Sequence, residues 1–285
     1  MVTLHEKASA FAESHRGPRI IVLPNAWDPG AAIVLADAGF PFVATTSAGI
    51  AFAQGLPDGQ RLSRSRMLDL AGQIAGAVDV PVSADLEAGY GARPDDVAAT
   101  VTGAVAAGVV GCNIEDSTGD RDHPLYELEA AVDRIRAGAE AAGASGIPFV
   151  LNARVDPYLV GLGTPAENLA ESVRRGNAYR EAGAGCVYVP GVYDRDTIPV
   201  LAREIDGPLN VLGARGGASS ALSVAELEAL GVRRVSIGGS LAVAALALVR
   251  RAAAELREHG TFGYSGAAMS NAEANALMLR AGRGA

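Results

Sequence analysis

The chain alternates between short apolar runs of strand length and longer segments with the polar and apolar spacing of helices. The apolar runs are continuous rather than alternating, which is typical of parallel strands covered on both faces. The eight predicted strands are 19–23, 42–46, 80–85, 109–115, 148–154, 186–189, 209–212 and 233–237.

A helix is predicted after each strand, so the chain consists of eight strand–helix units. This number and length match a (β/α)₈ TIM-type barrel, whereas a doubly wound sheet would lead us to expect a dinucleotide-binding loop, which the sequence lacks. We predict a single barrel domain over 1–259 and a helical tail over 260–285 that packs on a neighbouring subunit. The predicted helices are 31–38, 64–77, 95–107, 125–142, 166–182, 197–204, 224–230 and 241–256, with a further short helix at 272–280.

Charge and composition narrow the class of protein. The formal net charge of −8 argues against binding to nucleic acid or to an anionic membrane, because both favour a basic surface. The longest apolar stretch, 241–249, is too short to span a bilayer, and the first residues lack the apolar segment of a signal peptide. Cys112 and Cys186 lie in apolar runs without metal-ligand spacing, as packed thiols do. We therefore expect a cytoplasmic protein.

Two carboxylates follow the third strand at positions i and i+2, which places Asp85 and Glu87 on the same face of a strand end. Gly89 and Gly91 come directly afterwards and allow close approach of backbone or ligand. Two neighbouring carboxylates repel each other unless a cation lies between them, and Mg²⁺ is the simplest such cation. The alternative is a solvated acidic loop.

Polar residues also follow the other strands, and in barrels of this kind the active site lies at the carboxyl ends of the strands. We predict that Asp85, Glu87 and Glu115 form an oxygen cluster for Mg²⁺. The residues predicted to bind the substrate are Trp27, Thr46, Ser47, Ala48, Arg154 and Asn210.

Several of these residues have a second interpretation. Arg154 either clamps an anionic ligand or neutralises Glu115 and Asp156, and Glu115 is either a metal ligand or the partner of a nearby arginine. Thr46 and Ser47 either bind an anion or cap a loop. Trp27 either lines the pocket or packs in the core, Asp116 and Asp156 are expected to support the site, and the glycine-rich segment 213–217 matches no phosphate-loop spacing.

Four motifs occur in a fixed order between about residue 20 and residue 250 and together form a specific set. They are Thr46-Ser47-Ala48-Gly49 with Gly55-Leu56-Pro57-Asp58, Asp85-x-Glu87-x-Gly89-Tyr90-Gly91, Asn113-Ile114-Glu115-Asp116, and Asn152-Ala153-Arg154-Val155-Asp156.

With these motifs the chain resembles the isocitrate lyase / phosphoenolpyruvate mutase superfamily. The resemblance implies an (α/β)₈ barrel whose last helix is often swapped between subunits, so a homodimer or homotetramer is expected. It implies Mg²⁺, or Mn²⁺, near Asp85, with Asp58, Glu87 and Glu115 reaching the metal mainly through water. It also implies a 2-oxo acid or enolate whose carboxylate lies on residues 46–48, contacted by Arg154. Arg154, Asp58 and Glu115 are thus the expected catalytic residues.

One segment departs from the family pattern. Family lyases carry a Lys-Lys-Cys-Gly-His loop with an acid/base cysteine after the Glu-Asp element, but residues 117–124 contain neither Cys nor Lys. His123 is the only residue there whose ordinary pKa suits proton transfer near neutral pH, and a solvated loop histidine is the alternative.

We therefore expect a Mg²⁺-dependent enzyme that cleaves a C–C bond of a small 2-oxo or 2-hydroxy (di)carboxylic acid through a metal-stabilised enolate. The reaction would be that of a lyase or of an oxaloacetate-type decarboxylase. The alternatives are a phosphonopyruvate-type enzyme acting on a P–C bond and a 2-oxo acid binding protein without lyase activity.

Overall fold

A computed structural model describes residues 2–214 and 222–281, and in it nine parallel strands form one sheet. The strands are β1 Ile21–Leu23, β2 Asn25–Ala26, β3 Val43–Thr45, β4 Val82–Asp85, β5 Gly111–Glu115, β6 Val150–Arg154, β7 Cys186–Val189, β8 Leu209–Leu212 and β9 Arg234–Ser236.

The sheet closes on itself through two short strands on either side of Pro24, of which only the first, β1, lies within a predicted strand. The strand before the proline, β1, pairs with β9, and the strand after it, β2, pairs with β3. Proline has no N–H to donate to a sheet, so the regular strand is interrupted there, while the Pro24 carbonyl still accepts from the Ala44 N–H at 2.8 Å. The nine strands thus occupy eight positions, and the predicted (β/α)₈ barrel is confirmed.

Each of the eight predicted helices between strands overlaps a helix of the structure, and the helix predicted at 272–280 is also present. Three helices were not predicted, those at Leu4–Arg16, Ser47–Ala53 and Pro157–Val160. The helices are α1 Leu4–Arg16, α2 Pro29–Asp37, α3 Ser47–Ala53, α4 Arg64–Gly76, α5 Pro94–Ala106, α6 Leu128–Ala144, α7 Pro157–Val160, α8 Pro165–Glu181, α9 Thr197–Glu204, α10 Val224–Ala229, α11 Ser240–His259 and α12 Asn271–Ala281, with a 3₁₀ helix at Gly263–Ala267.

The differences have local causes. Helix α1 begins with a capping box between Thr3 and Glu6, a signal that is visible in the sequence. Helix α6 begins at Leu128 rather than at residue 125, because Leu125 pairs with Ser117 in an isolated bridge. This bridge joins the two ends of the segment that departs from the family pattern.

The barrel has an aliphatic outer layer and a polar interior. Small aliphatic side chains fill the space between sheet and helices, and Phe11 of α1 closes the amino-terminal end of the barrel against Ile21 and Val150. Arg234 of β9 is buried and its Nη2 lies 3.5 Å from the Ser83 Oγ of β4. Because β4 and β9 are not neighbours in the sheet, this approach crosses the barrel interior.

The carboxyl-terminal helix returns to the barrel surface. Helix α12 packs on α2, where Arg280 and Asp37 form an ion pair at 2.8 Å. Helix α11 ends at His259, and the domain boundary at residue 259 stays a prediction. Within the described ranges, no helix is long and apolar enough to cross a membrane.

A substitution at Gly111 tests the closure of the barrel end. A Cβ there would lie 2.7 Å from the Val150 carbonyl and 2.9 Å from the Phe11 ring. We expect Gly111→Ala to lower the free energy of unfolding by about 1–3 kcal/mol through overpacking, measured by urea denaturation. The matched control is Gly143→Ala in α6, where a Cβ meets no atom within 4 Å and a gain of roughly 0.5–1 kcal/mol is expected. Equal effects of the two substitutions would contradict this account.

Candidate active site

Three neighbouring strands bring the principal predicted residues together. Strands β4, β5 and β6 are parallel and adjacent, so their carboxyl ends meet at one rim. Glu115 and Arg154 are direct partners in the register of β5 and β6, and Asp85 ends β4 beside them. The barrel mouth therefore carries two carboxylates and a guanidinium from three consecutive strand ends.

The guanidinium of Arg154 lies between two carboxylates. Its Nη1 is 2.6 Å from Glu115 Oε2 and its Nε is 2.7 Å from Asp156 Oδ1. Burial opposes the charge of Arg154, but Asp156 and Glu115 outweigh it and raise the pKa of the guanidinium. Burial also raises the pKa of Glu115 well above its usual value, against the attraction of Arg154. Arg154 therefore pairs with both carboxylates, which is one of the two interpretations of the sequence.

One carboxylate oxygen of Asp85 has hydrogen-bond donors and the other has none. Its Oδ2 accepts hydrogen bonds from the Ser47 N–H at 3.1 Å and from the Ser47 hydroxyl at 2.8 Å. Its Oδ1 is buried and has no hydrogen-bond partner among the described residues. A buried carboxylate oxygen without a donor is costly, and an additional donor or a cation would compensate it.

Glu87 is held by a turn with unusual backbone conformation. Gln60, Glu87 and Tyr90 have φ of 55°, 51° and 57°, values that residues other than glycine rarely adopt. The Glu87 carboxylate accepts hydrogen bonds from the Gln60 N–H and from the Tyr90 hydroxyl. Burial raises the pKa of Glu87, these two donors oppose the shift, and the negative charge of Asp85 adds to it. Such strain is common at functional sites.

Asp58 approaches the rim from an exposed loop. The Gly59 N–H donates to its Oδ1 at 2.9 Å. Partial desolvation by the surrounding loops raises the pKa of Asp58, the charge of Asp85 adds to the shift and Arg154 opposes it. Asp58 therefore responds to the charges of Asp85 and Arg154, although it lies 27 positions before Asp85 in the chain.

The other predicted substrate-binding residues lie beside or below this rim. Thr46 is buried and its side chain caps α3 by accepting from the Gly49 N–H at 3.3 Å. Trp27 is partly buried against the core, and Ala48 is partly exposed in the first turn of α3. Asn210 is fully buried and lies 3.5 Å from the Ser236 hydroxyl in the barrel interior. Thr46 and Asn210 therefore have structural partners already.

The segment that departs from the family forms a small closed loop. Thr118 bonds to the Pro124 carbonyl at 3.0 Å and also to the His123 carbonyl, and the His123 side chain is exposed. The histidine therefore lies in a solvated loop. Of the glycine-rich segment at 213–217, residues 215–217 lie outside the described residues.

Two tyrosines at the site were not predicted as site residues. Tyr90 is visible in the sequence motif, and its role follows from the bond to Glu87 described above. Tyr188 lies inside the barrel with its ring centroid 6.0 Å from the guanidinium carbon of Arg154. Burial raises the pKa of Tyr188, so the phenol stays protonated. An apolar strand containing one tyrosine gives no signal of this position.

The donor set fits a hard divalent cation held by few direct contacts. Mg²⁺ prefers oxygen ligands and usually keeps several water molecules, so one or two carboxylates suffice. In the described residues no three His, Cys, Asp or Glu side chains converge closely enough to ligate one ion together. Asp85, whose Oδ1 has no hydrogen-bond donor, is the residue that fits direct contact with the cation. Glu87 and Glu115, each engaged by protein partners, fit contact through water.

A parallel (β/α)₈ barrel with carboxylates and an arginine at the carboxyl ends of its strands has the arrangement in which barrel enzymes carry their active sites. The sequence of residues 11–257 matches the phosphoenolpyruvate phosphomutase family. The chain belongs to this family, and the predicted resemblance to the isocitrate lyase / phosphoenolpyruvate mutase superfamily is confirmed.

Similar sequences include proteins with several activities. An uncharacterised protein of Mycobacterium tuberculosis is 34% identical over 229 residues, covering 80% of this chain and 81% of that protein. The oxaloacetate decarboxylase of Chromohalobacter salexigens is 32% identical over 232 residues, covering 78% and 75%. The phosphonopyruvate hydrolase of a Variovorax species is 31% identical over 254 residues, covering 85% and 84%.

Solved structures agree over almost the whole chain. A Burkholderia cenocepacia protein assigned as a lyase or mutase is 45% identical, with a TM-score of 0.90 and coverage of 96% and 95%. A 2,3-dimethylmalate lyase is 28% identical, with a TM-score of 0.84 and coverage of 97% and 95%. A phosphonopyruvate hydrolase complexed with oxalate and Mg²⁺ is 28% identical, with a TM-score of 0.82 and coverage of 97% and 96%. The chain is therefore an enzyme of this superfamily, as predicted.

The raised pKa of Glu87 predicts how stability depends on pH without divalent cations. Between the usual value of 4.5 and the raised folded value, the folded protein binds more protons than the unfolded chain, so the free energy of unfolding falls as pH rises. Relative to the wild type, Glu87→Gln should therefore gain stability as pH rises from the usual carboxyl pKa through the raised folded pKa, above which the difference stays constant. Lost hydrogen bonds add an offset that does not depend on pH. Urea denaturation in EDTA at a series of pH values measures this difference.

The control is a carboxylate whose pKa is shifted in the opposite direction. Hydrogen bonds from Ser223 lower the pKa of Glu226 to about 2, so its contribution is present above the usual carboxyl pKa and is lost as pH falls. Glu226→Gln should therefore lower the free energy of unfolding by a constant amount at neutral pH and should flatten its fall on the acid side. If the difference between Glu87→Gln and the wild type does not vary with pH, the environment described for Glu87 is wrong.

Proposed function

We propose that this protein is a Mg²⁺-dependent carbon–carbon lyase that acts on a small 2-oxo or 2-hydroxy carboxylic acid. Decarboxylation of an oxaloacetate-like acid and retro-aldol cleavage are its two candidate reactions. The observation that carries the proposal is the buried, unsatisfied Oδ1 of Asp85. It lies at a rim where the pKa values of Asp58, Glu87 and Glu115 are all raised by burial and by the charge of Asp85.

The proposed metal would be held by Asp85 directly and by Asp58, Glu87 and Glu115 through water. When bound, it would act as a Lewis acid on the 2-oxo group. Mn²⁺ accepts the same oxygen donors and is an alternative ion. The phosphonopyruvate hydrolase complex with oxalate and Mg²⁺, similar to this chain in fold and sequence, supports the assignment.

The chain's own side chains would bind and orient the acid. Ser47 fixes Oδ2 of Asp85 through two hydrogen bonds, which leaves Oδ1 free for a new partner. Arg154 is 18% exposed, and the described residues supply acceptors to its Nε and Nη1, so Nη2 is available for a ligand carboxylate. The first turn of α3, with Ser47 and Ala48, is the proposed second contact for that carboxylate, and Trp27 and Asn210 are proposed pocket-lining residues.

Proton transfer needs a carboxyl with a raised pKa, since the loop cysteine of family lyases is missing. Glu115 has such a pKa, and its Oε1 can hold a proton while Oε2 pairs with Arg154. Asp58 is the second proposed proton carrier, on an exposed loop that water can reach. The site is therefore proposed to use carboxyl groups for acid–base chemistry.

Phosphonopyruvate-type cleavage of a P–C bond is the second candidate, supported by the similarity to the Variovorax hydrolase. A guanidinium that clamps a carboxylate also clamps a phosphonate. Both reactions leave the metal and arginine assignments unchanged. We propose a cytoplasmic location, which the two buried, unpaired thiols of Cys112 and Cys186 fit.

An assay of a substrate panel tests the proposal. The purified protein is incubated with oxaloacetate, 2-methylisocitrate, 2,3-dimethylmalate and phosphonopyruvate, and products are followed with Mg²⁺ or with EDTA. We expect turnover of at least one 2-oxo or 2-hydroxy acid, lost in EDTA and restored by Mg²⁺. Oxalate binding without turnover of any acid would contradict the enzyme assignment in favour of a binding protein, and turnover of phosphonopyruvate alone would select the second candidate.

Two variants locate the activity at this site. Asp85→Ala removes the proposed metal contact and Arg154→Lys removes the planar fork, and for Asp85→Ala a loss of roughly 10³-fold in kcat/KM is expected. The matched control is Asp69→Ala, whose carboxylate is exposed on α4 in an ion pair with Arg66. Unchanged Mg²⁺ dependence in Asp85→Ala would remove the metal assignment.

Association into a homodimer or homotetramer is proposed from the surface of α11. Of the 20 residues of this helix only Ala242 is buried, and Leu246 and Val249 are 51% and 64% exposed. An extended exposed apolar surface marks an interaction site. The family resemblance, in which the last helix is often exchanged between subunits, supports a second copy of the chain as the partner.

Light scattering tests this assembly. The wild-type protein should have a mass that is a multiple of the 28.9 kDa chain, and Leu246→Glu should shift it towards the monomer because a charge cannot be buried unpaired. The control is Leu159→Glu, at a residue of α7 with nearly the same exposure, 50%. A monomeric wild type, or dissociation by both variants alike, would contradict the proposed surface.

A further inference from the structure

A buried carboxylate behind the rim connects the site with an outer helix. Asp116 follows Glu115 at the end of β5 and is 3% exposed. Its Oδ2 accepts hydrogen bonds from the Tyr179 hydroxyl at 2.7 Å and from Arg175 Nη1 at 3.2 Å. Tyr179 and Arg175 both belong to α8. The ligand site thus has a polar link to the helix layer.

Arg175 is itself fixed at several atoms. Its Nε pairs with Glu171 at 2.6 Å, and its Nη1 also donates to the Tyr126 carbonyl at 2.9 Å. The Tyr126 N–H in turn donates to the Asp116 carbonyl at 2.9 Å. Arg175 is 6% exposed, so these contacts are made away from solvent. A guanidinium with several acceptors has one orientation, which it imposes on Asp116.

The other carboxylate oxygen of Asp116 points towards the ligand side. Its Oδ1 accepts from the Asp156 N–H at 3.0 Å, and the Asp116 N–H donates to the Arg154 carbonyl at 3.2 Å. The Asp156 carboxylate then holds Arg154 Nε at 2.7 Å. A continuous chain of hydrogen bonds therefore runs from α8 through Asp116 and Asp156 to the guanidinium of Arg154.

We propose that Arg175 and Tyr179 are positioning residues for Arg154. By fixing Asp116 they fix the backbone of Asp156, whose carboxylate sets the plane of the Arg154 guanidinium. Recognition of a carboxylate or phosphonate by the Nη2 donors depends on that plane, and a supporting shell that allows small shifts weakens it. The role of the aligned guanidinium in ligand binding rests on the proposed function, whereas the alignment itself does not.

Ligand affinity is the first test. Trp27 is the only tryptophan of the chain, so its fluorescence reports oxalate binding in the presence of Mg²⁺. Tyr179→Phe and Arg175→Met should each weaken oxalate binding by roughly 3–30-fold, and Arg175→Lys should recover only part of the affinity because it lacks the fork. The control is Arg174→Met, at the adjacent exposed residue that also pairs with Glu171, for which no change is expected.

A double-mutant cycle separates positioning from general stabilisation. If Arg175 acts through Arg154, then Arg175→Met should weaken oxalate binding much less in an Arg154→Lys background than in the wild type. A purely structural role would give the same loss in both backgrounds. Additive losses would therefore overturn the inference.

The Arg154 side chain also gives a signal without any ligand. The signal of its Nε–H in a ¹⁵N spectrum is identified by its absence in Arg154→Lys. We expect this proton to exchange with solvent at least roughly tenfold faster in Arg175→Met and Tyr179→Phe. Its exchange rate should be unchanged in Arg174→Met. A wild type that fails to bind oxalate contradicts the proposed function, and this exchange rate then still decides the inference. Unchanged exchange in both α8 variants would overturn it.

Discussion

Buried carboxylates need cations or fixed donors in place of the water they lose, and this requirement governs the barrel mouth. Glu115 and Asp156 share the guanidinium of Arg154. Asp85 and Glu87 use donors from loops and from the first turn of α3. Each carboxylate takes its donors from a different element of the fold. The strand ends, the turn after β4 and the loop around Asp58 therefore have to be folded together. The oxygen that stays uncompensated, Asp85 Oδ1, is the atom from which the proposed metal chemistry follows.

The same requirement extends outward from the rim. Asp116 is fully enclosed, and the donors that stabilise it come from α8, on the outer layer of the barrel. The interior below the rim is polar as well, with Arg234 reaching Ser83 across the barrel. A barrel built in this way holds charge in its centre while its aliphatic layer lies between sheet and helices. Such an arrangement suits a site that binds a small acid, because preorganised charges need little reorganisation on binding.

Much of the architecture follows from the sequence, because parallel strands buried on both faces appear as continuous apolar runs. All eight strand positions and the helices between them were predicted on this basis. Helix α3 was missed because Thr46 and Ser47 were interpreted as anion-binding or loop-capping residues, whereas Thr46 caps a helix there. The division at Pro24 depends on pairing with two different strands and is not visible locally.

The sequence by itself determined which ionisable residues stand at strand ends, and so identified Asp85, Glu87, Glu115 and Arg154 as candidates. Side chains at the ends of parallel strands have one possible meeting place, which is why local order suffices. Only the tertiary structure decided how each charge is compensated. The partners of Asp116 are 59 and 63 residues away, and Ser47 is 38 residues from Asp85. Hydrogen bonds over such separations depend on how helices pack around the barrel, which no local spacing encodes.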